Sequence, residues 1–118
     1  MNVVGGTKEG VLHLRLHGSD SLDCANAAHV RNAALAKVNG TQDIVVDLSG
    51  IEFVDSAGIG VLVSVFKAAR ASGKTVKFVA SRPGVVSVLE LIKLDQIFDI
   101  HPDFGSAVKA IRAELAQV

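Results

Sequence analysis

The sequence has a single cysteine, Cys24, and neither tryptophan nor tyrosine. One cysteine cannot form an internal disulfide, so a disulfide scaffold is excluded and a reducing compartment is favoured. Phenylalanine, present five times, is the only residue of the Phe, Tyr and Trp class. The chain therefore has few groups on which single-stranded nucleic acid could stack, and a nucleic-acid partner is not expected.

An excess of charge of one sign and a long hydrophobic run are also missing. Twelve basic residues balance twelve acidic ones, which leaves no general attraction for nucleic acid or an anionic membrane. The longest apolar patch, Ile59 to Phe66, is interrupted by Gly60 and Ser64 and falls well short of the ~20 residues of a spanning helix. Met1 to Gly10 carries no apolar block behind basic residues, so no signal peptide is predicted. A cytoplasmic protein without membrane contact is the resulting expectation.

What the sequence does contain is ample core-forming material. Of its 118 residues, 49% are hydrophobic, a composition that excludes a disordered chain. A chain of this length is expected to form one two-layer core. We therefore predict a single domain over residues 1–118.

Short apolar patterns separated by turn residues predict alternating strands and helices. Val11–Leu16 alternates apolar and polar residues, as a half-buried strand does, and Val3-Val4 is a candidate partner strand in a hairpin. Further strands are predicted at 44–48, 76–80 and 97–100, and helices at 23–38, 56–72, 82–92 and 104–116. This order predicts an α/β fold with a mixed, mostly parallel sheet of four to five strands, about four helices and an N-terminal hairpin.

The most informative segment, residues 47–62, reads DLSGIEFVDSAGIGVL. Its loop carries two candidates for burial, Ile51 and Phe53, and a helix is predicted to begin near Ser56. Free backbone N–H groups and the positive end of the helix dipole could receive a phosphate on Ser56. Gly58 and Gly60 each cost the helix about 1 kcal/mol relative to alanine, which indicates either a contact surface or close packing on the sheet. The simpler interpretation, which chemistry alone favours, is that Asp-Ser is an ordinary helix N-cap.

The same segment resembles the signature of STAS domains, specifically of bacterial anti-sigma-factor antagonists. In that family the serine directly after the aspartate is the phosphorylation site, and this serine corresponds to Ser56. Weaker similarity covers 14–18 and 80–94, so the resemblance extends over nearly the whole chain. It implies a STAS-type fold and a phosphorylation-controlled regulator of transcription.

The sequence departs from the family pattern at two places. The loop 18–23 reads GSDSLD and is about two residues longer than in many members, so either Asp20 or Asp23 takes the family's acidic position. Ala57 replaces a second hydroxyl that many members carry after the serine. The resemblance implies a partner-binding surface made of Asp20, Asp23, Asp55, Ala57, Gly58 and Gly60.

The function that the resemblance implies is partner switching. The unphosphorylated protein would bind an anti-sigma factor that is also a serine kinase of the histidine-kinase-like ATPase fold. Phosphorylation of Ser56 would break that complex, and a metal-dependent serine phosphatase would restore it. ATP and metal belong to those partners, so no cofactor or metal is expected in this chain. The alternative is a STAS interaction subunit of a lipid-transport ATPase or a stressosome-like scaffold.

Enzyme and receiver-domain functions are not favoured. Asp55-Ser-Ala-Gly58 is not the G-x-S-x-G motif of a nucleophile elbow, and no histidine has a recognisable place beside Ser56. Leu14–His17 lacks the acidic pair that a receiver domain needs after its first strand. The four histidines lack metal-ligand spacing, and Cys24 is expected to be a small buried residue at a helix start.

Overall fold

The computed structural model describes residues 1–116. Its strands are β1 (Asn2–Lys8), β2 (Val11–His17), β3 (Ser21–Leu22), β4 (Ile44–Asp47), β5 (Phe53–Val54), β6 (Val76–Val79) and β7 (Asp99–His101). Its α-helices are α1 (Ala27–Lys37), α2 (Ser56–Ala71), α3 (Pro83–Leu91) and α4 (Phe104–Leu115), and a 3-10 turn spans Leu94–Gln96. Within these residues, none of the helices combines the length and apolar character needed to span a membrane.

Five strands form the main sheet in the order β1-β2-β4-β6-β7. β1 is antiparallel to β2, and the remaining neighbours are parallel. The hairpin closes through Glu9 and Gly10, both with positive φ, as in the two-residue turn that suits the twist of paired strands. These features confirm the predicted mostly parallel sheet with an N-terminal hairpin and four helices.

Helices cover both faces of this sheet. On one face α4 packs on Val11, Val45 and Val79. On the other face lies the larger core, which includes Leu14, Phe78 and residues of α1, α2 and α3. All four residues of β6 are buried, as expected for a central strand covered on both faces.

Local boundaries and exposures differ from the prediction at several points. The predicted helix 23–38 begins only at Ala27, because the Asn26 side chain accepts a hydrogen bond from Asp23 N–H and holds a separate turn. The last strand lies at Asp99–His101, because the preceding 3-10 turn occupies the approach. Two burial predictions were wrong: Cys24 is exposed, and Phe53 is 54% exposed.

Candidate functional site

A small two-stranded sheet, separate from the main one, forms the base of the site. β3 pairs with β5 in parallel, with Ser21 opposite Phe53 and Leu22 opposite Val54. The pairing continues upstream, where the Asp20 carbonyl accepts a hydrogen bond of 2.7 Å from Glu52 N–H. The loop that contains Asp20 and Asp23 is therefore held beside the segment that leads into α2.

The carboxylate of Asp55 joins this loop to the helix. Asp55 is the N-cap of α2, and its Oδ1 accepts a hydrogen bond of 2.9 Å from Gly58 N–H. Its Oδ2 accepts another of 3.0 Å from Cys24 N–H. The bond from Gly58 lowers the pKa of Asp55; desolvation opposes this effect, and the bond from Cys24 adds to it. Asp55 is consequently ionised at neutral pH.

Ser56 is the first residue of α2 and is exposed. Its position at the helix start agrees with the sequence prediction. One of the free N–H groups expected there, that of Gly58, is already bound by Asp55. A phosphate on Ser56 would therefore stand next to an ionised carboxylate rather than in an empty cradle of N–H groups.

Gly58 and Gly60 have different surroundings although both lie in the first turns of α2. Gly58 is buried, and a Cβ there would lie 2.3 Å from the carbonyl oxygen of Leu22 and 2.6 Å from Val54 Cγ2. The close backbone approach expected at Gly58 is thus made by the chain itself. Gly60 is exposed, and a Cβ there would meet nothing within 4 Å, so Gly60 is open to a partner.

The two candidate acidic residues also differ. The Asp23 carboxylate is half-buried, and it accepts hydrogen bonds of 2.7 Å from the Ser21 hydroxyl and 2.9 Å from Ala25 N–H. These bonds shape the loop. Asp20 is exposed and contributes its backbone carbonyl to the small sheet, which leaves its side chain at the surface. Of the two, Asp20 has the carboxylate that a partner can reach.

An open groove of about 320 Å³ runs between α1 and α2. Ala57, Gly60 and Ser64 line it from α2, and Ala27, Ala28 and Arg31 line it from α1. The sequence placed the first turn of the first helix at this edge of the sheet, but it singled out none of these α1 residues, because this helix is remote from the motif along the chain. The available signal in the sequence was the pair of small residues, Ala27 and Ala28, at the start of α1.

Phe53 adds an exposed aromatic ring to the same region. It follows Glu52, whose carboxylate pairs with Arg82 at 2.9 Å, both side chains being about half-exposed. Aromatic residues are enriched in protein contact surfaces, and Phe53 lies three residues before Ser56 in the chain. The sequence analysis predicted that Phe53 is buried, because the segment around it is largely apolar and Ile51 and Val54 are indeed buried.

This arrangement leaves the Ser56 residue at the protein surface. Neither the hydrogen bonds around Asp55 nor the lining of the α1–α2 groove includes a histidine that could act as a base for Ser56. Among residues 1–116, no group of three or more His, Cys, Asp or Glu side chains could hold a metal ion. The recognisable features are an accessible serine, an ionised neighbour and a shallow surface.

Known proteins share both the sequence and the fold. A protein of Thermotoga maritima named "Putative anti-sigma factor antagonist" is 33% identical over 73 residues, which cover 62% of this chain and 65% of that protein. The crystal structure of an anti-sigma factor antagonist from Mycobacterium paratuberculosis superposes with a TM-score of 0.84 at 25% identity, covering 94% of this chain and 93% of that one.

The fold also occurs as part of much larger proteins. The murine solute carrier 26 family member A9 anion transporter matches 88% of this chain with 18% of its own, at a TM-score of 0.75 and 24% identity. This likeness concerns the fold alone. A family model described as the STAS domain matches residues 5–107, and the chain belongs to the STAS domain family.

Proposed function

We propose that the protein is an anti-sigma-factor antagonist controlled by phosphorylation of Ser56. The observation that carries the proposal is the placement of an exposed serine at the start of α2, directly beside the ionised Asp55. The relatives named as anti-sigma-factor antagonists support the general role. In this proposal the unmodified protein binds an anti-sigma factor, and the phosphorylated protein releases it.

The charge of the modified serine explains the release. A phosphoserine adds about −1.5 to −2 charges at neutral pH, at a surface where Asp55 is already negative. The Arg82 guanidinium near this surface is engaged with Glu52, which leaves it poorly placed to neutralise the new charge. Burying an unpaired phosphate against a partner costs several kcal/mol, enough to dissociate a micromolar complex.

The proposed partners supply the chemistry of the cycle. The anti-sigma factor would be a serine kinase of the histidine-kinase-like ATPase fold, and a metal-dependent serine phosphatase would remove the phosphate. This chain would act as substrate and ligand, not as an enzyme. The exposed residues Asp20, Phe53 and Gly60, the half-buried Ala57 and the α1–α2 groove would form the docking site, while Asp23, Asp55 and Gly58 would support its shape.

Phosphorylation is tested by replacing the acceptor. Ser56→Ala is expected to abolish labelling by the cognate kinase and ATP, because no other serine occupies the helix start that the kinase would read. Ser87→Ala, an exposed serine on α3, is the matched control and should be labelled like the parent. Mass spectrometry locates the phosphate. Undiminished labelling of Ser56→Ala would contradict the proposal, because the phosphate would then be on another residue. A parent chain that is not labelled at all would favour a STAS subunit that works without phosphoserine.

The docking surface is tested by two changes with different physical effects. Ser56→Asp adds charge, and Gly60→Glu adds bulk as well as charge to the open groove. Each is expected to weaken binding of the kinase by about tenfold or more. Raising the salt concentration should partly restore binding of Ser56→Asp, because screening weakens charge repulsion, and should restore Gly60→Glu less.

Calorimetric titration measures the affinities, and thermal melts show that both variants stay folded. Because both positions are exposed, neither melting temperature should fall much below that of the parent. If both variants bind the kinase as tightly as the parent does, the interface lies elsewhere on the protein.

A further inference from the structure

One face of the main sheet is covered by α4 only in part. This helix packs on one valine each from β2, β4 and β6, and its first residue, Phe104, lies against His13 with the ring centroids 4.3 Å apart. Beside this contact an open cavity of about 250 Å³ is lined by Val4–Lys8 on β1 and by His13 and Arg15 on β2. These lining residues form a surface that is called the hairpin face below.

The free charges of the hairpin face are positive. Lys8 and Arg15 are both exposed, and neither forms an ion pair with another of residues 1–116. The lining of the cavity includes no acidic residue of this part of the chain. Glu9 lies in the hairpin turn outside the cavity, and the carboxylate of Asp47 is bound to His13 at 2.8 Å. The hairpin face therefore attracts a negatively charged ligand.

The positions of the two cations favour an extended ligand. Arg15 lies opposite Val4, and Lys8 follows Val4 by four residues, which is about 13 Å along a strand. Val4 is 37% exposed, and a Cβ on Gly6 would meet nothing within 4 Å, so an apolar residue and an empty space lie between the two charges. A single carboxylate or phosphate group is too small to span this distance, whereas a segment of polypeptide with separated carboxylates can do so.

The same features disfavour other anionic ligands. Two free cations are few for nucleic acid, whose binding proteins typically make about 6–10 phosphate contacts. They are also few for an anionic membrane, which is typically bound through clusters of about 4–8 Lys or Arg residues. The cavity is open and smaller than the pockets of about 300–1,000 Å³ that enclose small molecules. A protein partner is the remaining class of anionic ligand.

We propose that the hairpin face binds an acidic, extended segment of a second partner protein. One carboxylate of that segment pairs with Lys8 and another with Arg15, while an apolar side chain between them packs on Val4 above Gly6. α2, which carries Ser56, packs on the opposite face of the main sheet. The hairpin face is therefore independent of the proposed phosphorylation site, and both surfaces can be occupied at once.

A synthetic peptide tests the chemistry of the ligand. The probe is a fluorescein-labelled peptide with two glutamates four residues apart and a leucine midway, because these three side chains lie on the same face of an extended chain. In anisotropy titrations with the full chain, this peptide should bind about tenfold or more tightly than the same peptide with glutamines in place of the glutamates. Raising the salt concentration should weaken its binding.

Charge reversals test the location of the site. Lys8→Glu and Arg15→Glu should each raise the dissociation constant of the acidic peptide about tenfold or more. Lys67→Glu is the matched control, because it makes the same change at an exposed lysine of α2, and it should bind the peptide almost as the parent does. Ser56→Asp should also bind the peptide like the parent, even where it has lost the kinase, so the two proposals can fail separately. Thermal melts show that the variants are folded.

Several results would overturn the proposal. They are no binding at about 1 mM peptide, equal binding of the glutamine peptide, and a loss with Lys67→Glu as large as that with Lys8→Glu. Phosphatidylserine vesicles and double-stranded DNA are tested alongside the peptide. If either binds through Lys8 and Arg15 while the acidic peptide does not, the hairpin face belongs to a membrane or a nucleic acid and the proposed protein partner is wrong.

Discussion

Gly58→Ala is expected to lower the free energy of unfolding by about 1–2 kcal/mol. The added Cβ would lie 2.3 Å from the Leu22 carbonyl oxygen, and a backbone atom cannot move aside as the end of a flexible side chain can. Overpacking of this kind typically destabilises a protein by about 1–3 kcal/mol. The better helix propensity of alanine offsets only about 1 kcal/mol of this loss. Moving α2 away would also disturb the hydrogen bonds that Asp55 makes to Gly58 and Cys24.

Gly60→Ala is the matched control two residues along the same helix. Its Cβ meets nothing within 4 Å, so the substitution should stabilise the protein by up to about 1 kcal/mol through helix propensity alone. Urea unfolding followed by circular dichroism gives both values. Equal changes in the two variants would show that Leu22 does not pack against Gly58 as described.

Lys77→Ala is expected to cost about 3 kcal/mol of unfolding free energy. Lys77 is the buried charged residue of the core within residues 1–116, and its side chain is 5% exposed. Its ammonium contacts Glu114 on α4 and Asp99 Oδ2 at 2.7 Å. Removing one partner of a buried ion pair typically costs about 3–5 kcal/mol. The lower end applies here because both carboxylates are about half-exposed and can be hydrated when the lysine is lost.

Two further variants separate charge from packing. Lys77→Met keeps most of the apolar stem, so it should lose less stability than Lys77→Ala. Lys109→Ala removes an exposed lysine from α4 and should change stability by no more than about 0.5 kcal/mol. If Lys77→Ala is as mild as Lys109→Ala in thermal or urea unfolding, the ion pairs do not anchor α4 to the sheet.

The pH dependence of stability gives an independent measure of the same cluster. Burial opposes ionisation of Asp99, but the contacts of its carboxylate with the Lys77 ammonium and the His101 ring outweigh this effect and lower the pKa of Asp99. A carboxyl group with a lowered folded-state pKa stabilises the protein above its ordinary pKa of about 4, and this contribution is lost as the pH falls through the folded-state value. Burial likewise opposes charge on Lys77, yet Asp99 and Glu114 raise its pKa, so its contribution is lost only above about pH 10. Unfolding between pH 2 and 7 should therefore vary less with pH in Lys77→Ala than in the parent.

Local patterns in the sequence predicted most of the fold. The alternation of Val11–Leu16 and the β-branched run at 44–48 indicate strands, because a short run of residues is enough to show which side chains are buried. Gly40 and Gly73, which follow α1 and α2 with positive φ, mark helix ends for the same local reason. The motif around Ser56 identified the family, and its modification remains a prediction.

Contacts between distant residues determined the parts that were missed. Phe53 was predicted to be buried by its apolar neighbours, but its pairing with Ser21 in the small sheet turns its ring outward. Cys24 was expected to be buried at the start of a helix. It is exposed instead, and its N–H donates a hydrogen bond to Asp55, 31 residues along the chain. Neither contact leaves a signal in the surrounding sequence.

The sequence by itself determined the order of the helices and the main-sheet strands, the mostly parallel sheet and the serine at the start of α2, because these depend on short-range periodicity and on a contiguous motif. It did not predict the short strands β3 and β5. The tertiary structure alone decided that Gly58 packs inside the protein while Gly60 stays open, that Asp20 rather than Asp23 has the accessible carboxylate, and that Lys77 is buried. Two of these outcomes depend on atoms supplied by a segment remote in sequence: Leu22 for Gly58, and Glu114 for Lys77. The physical reason is that packing and desolvation depend on which surfaces meet in space, and residue order alone does not specify that.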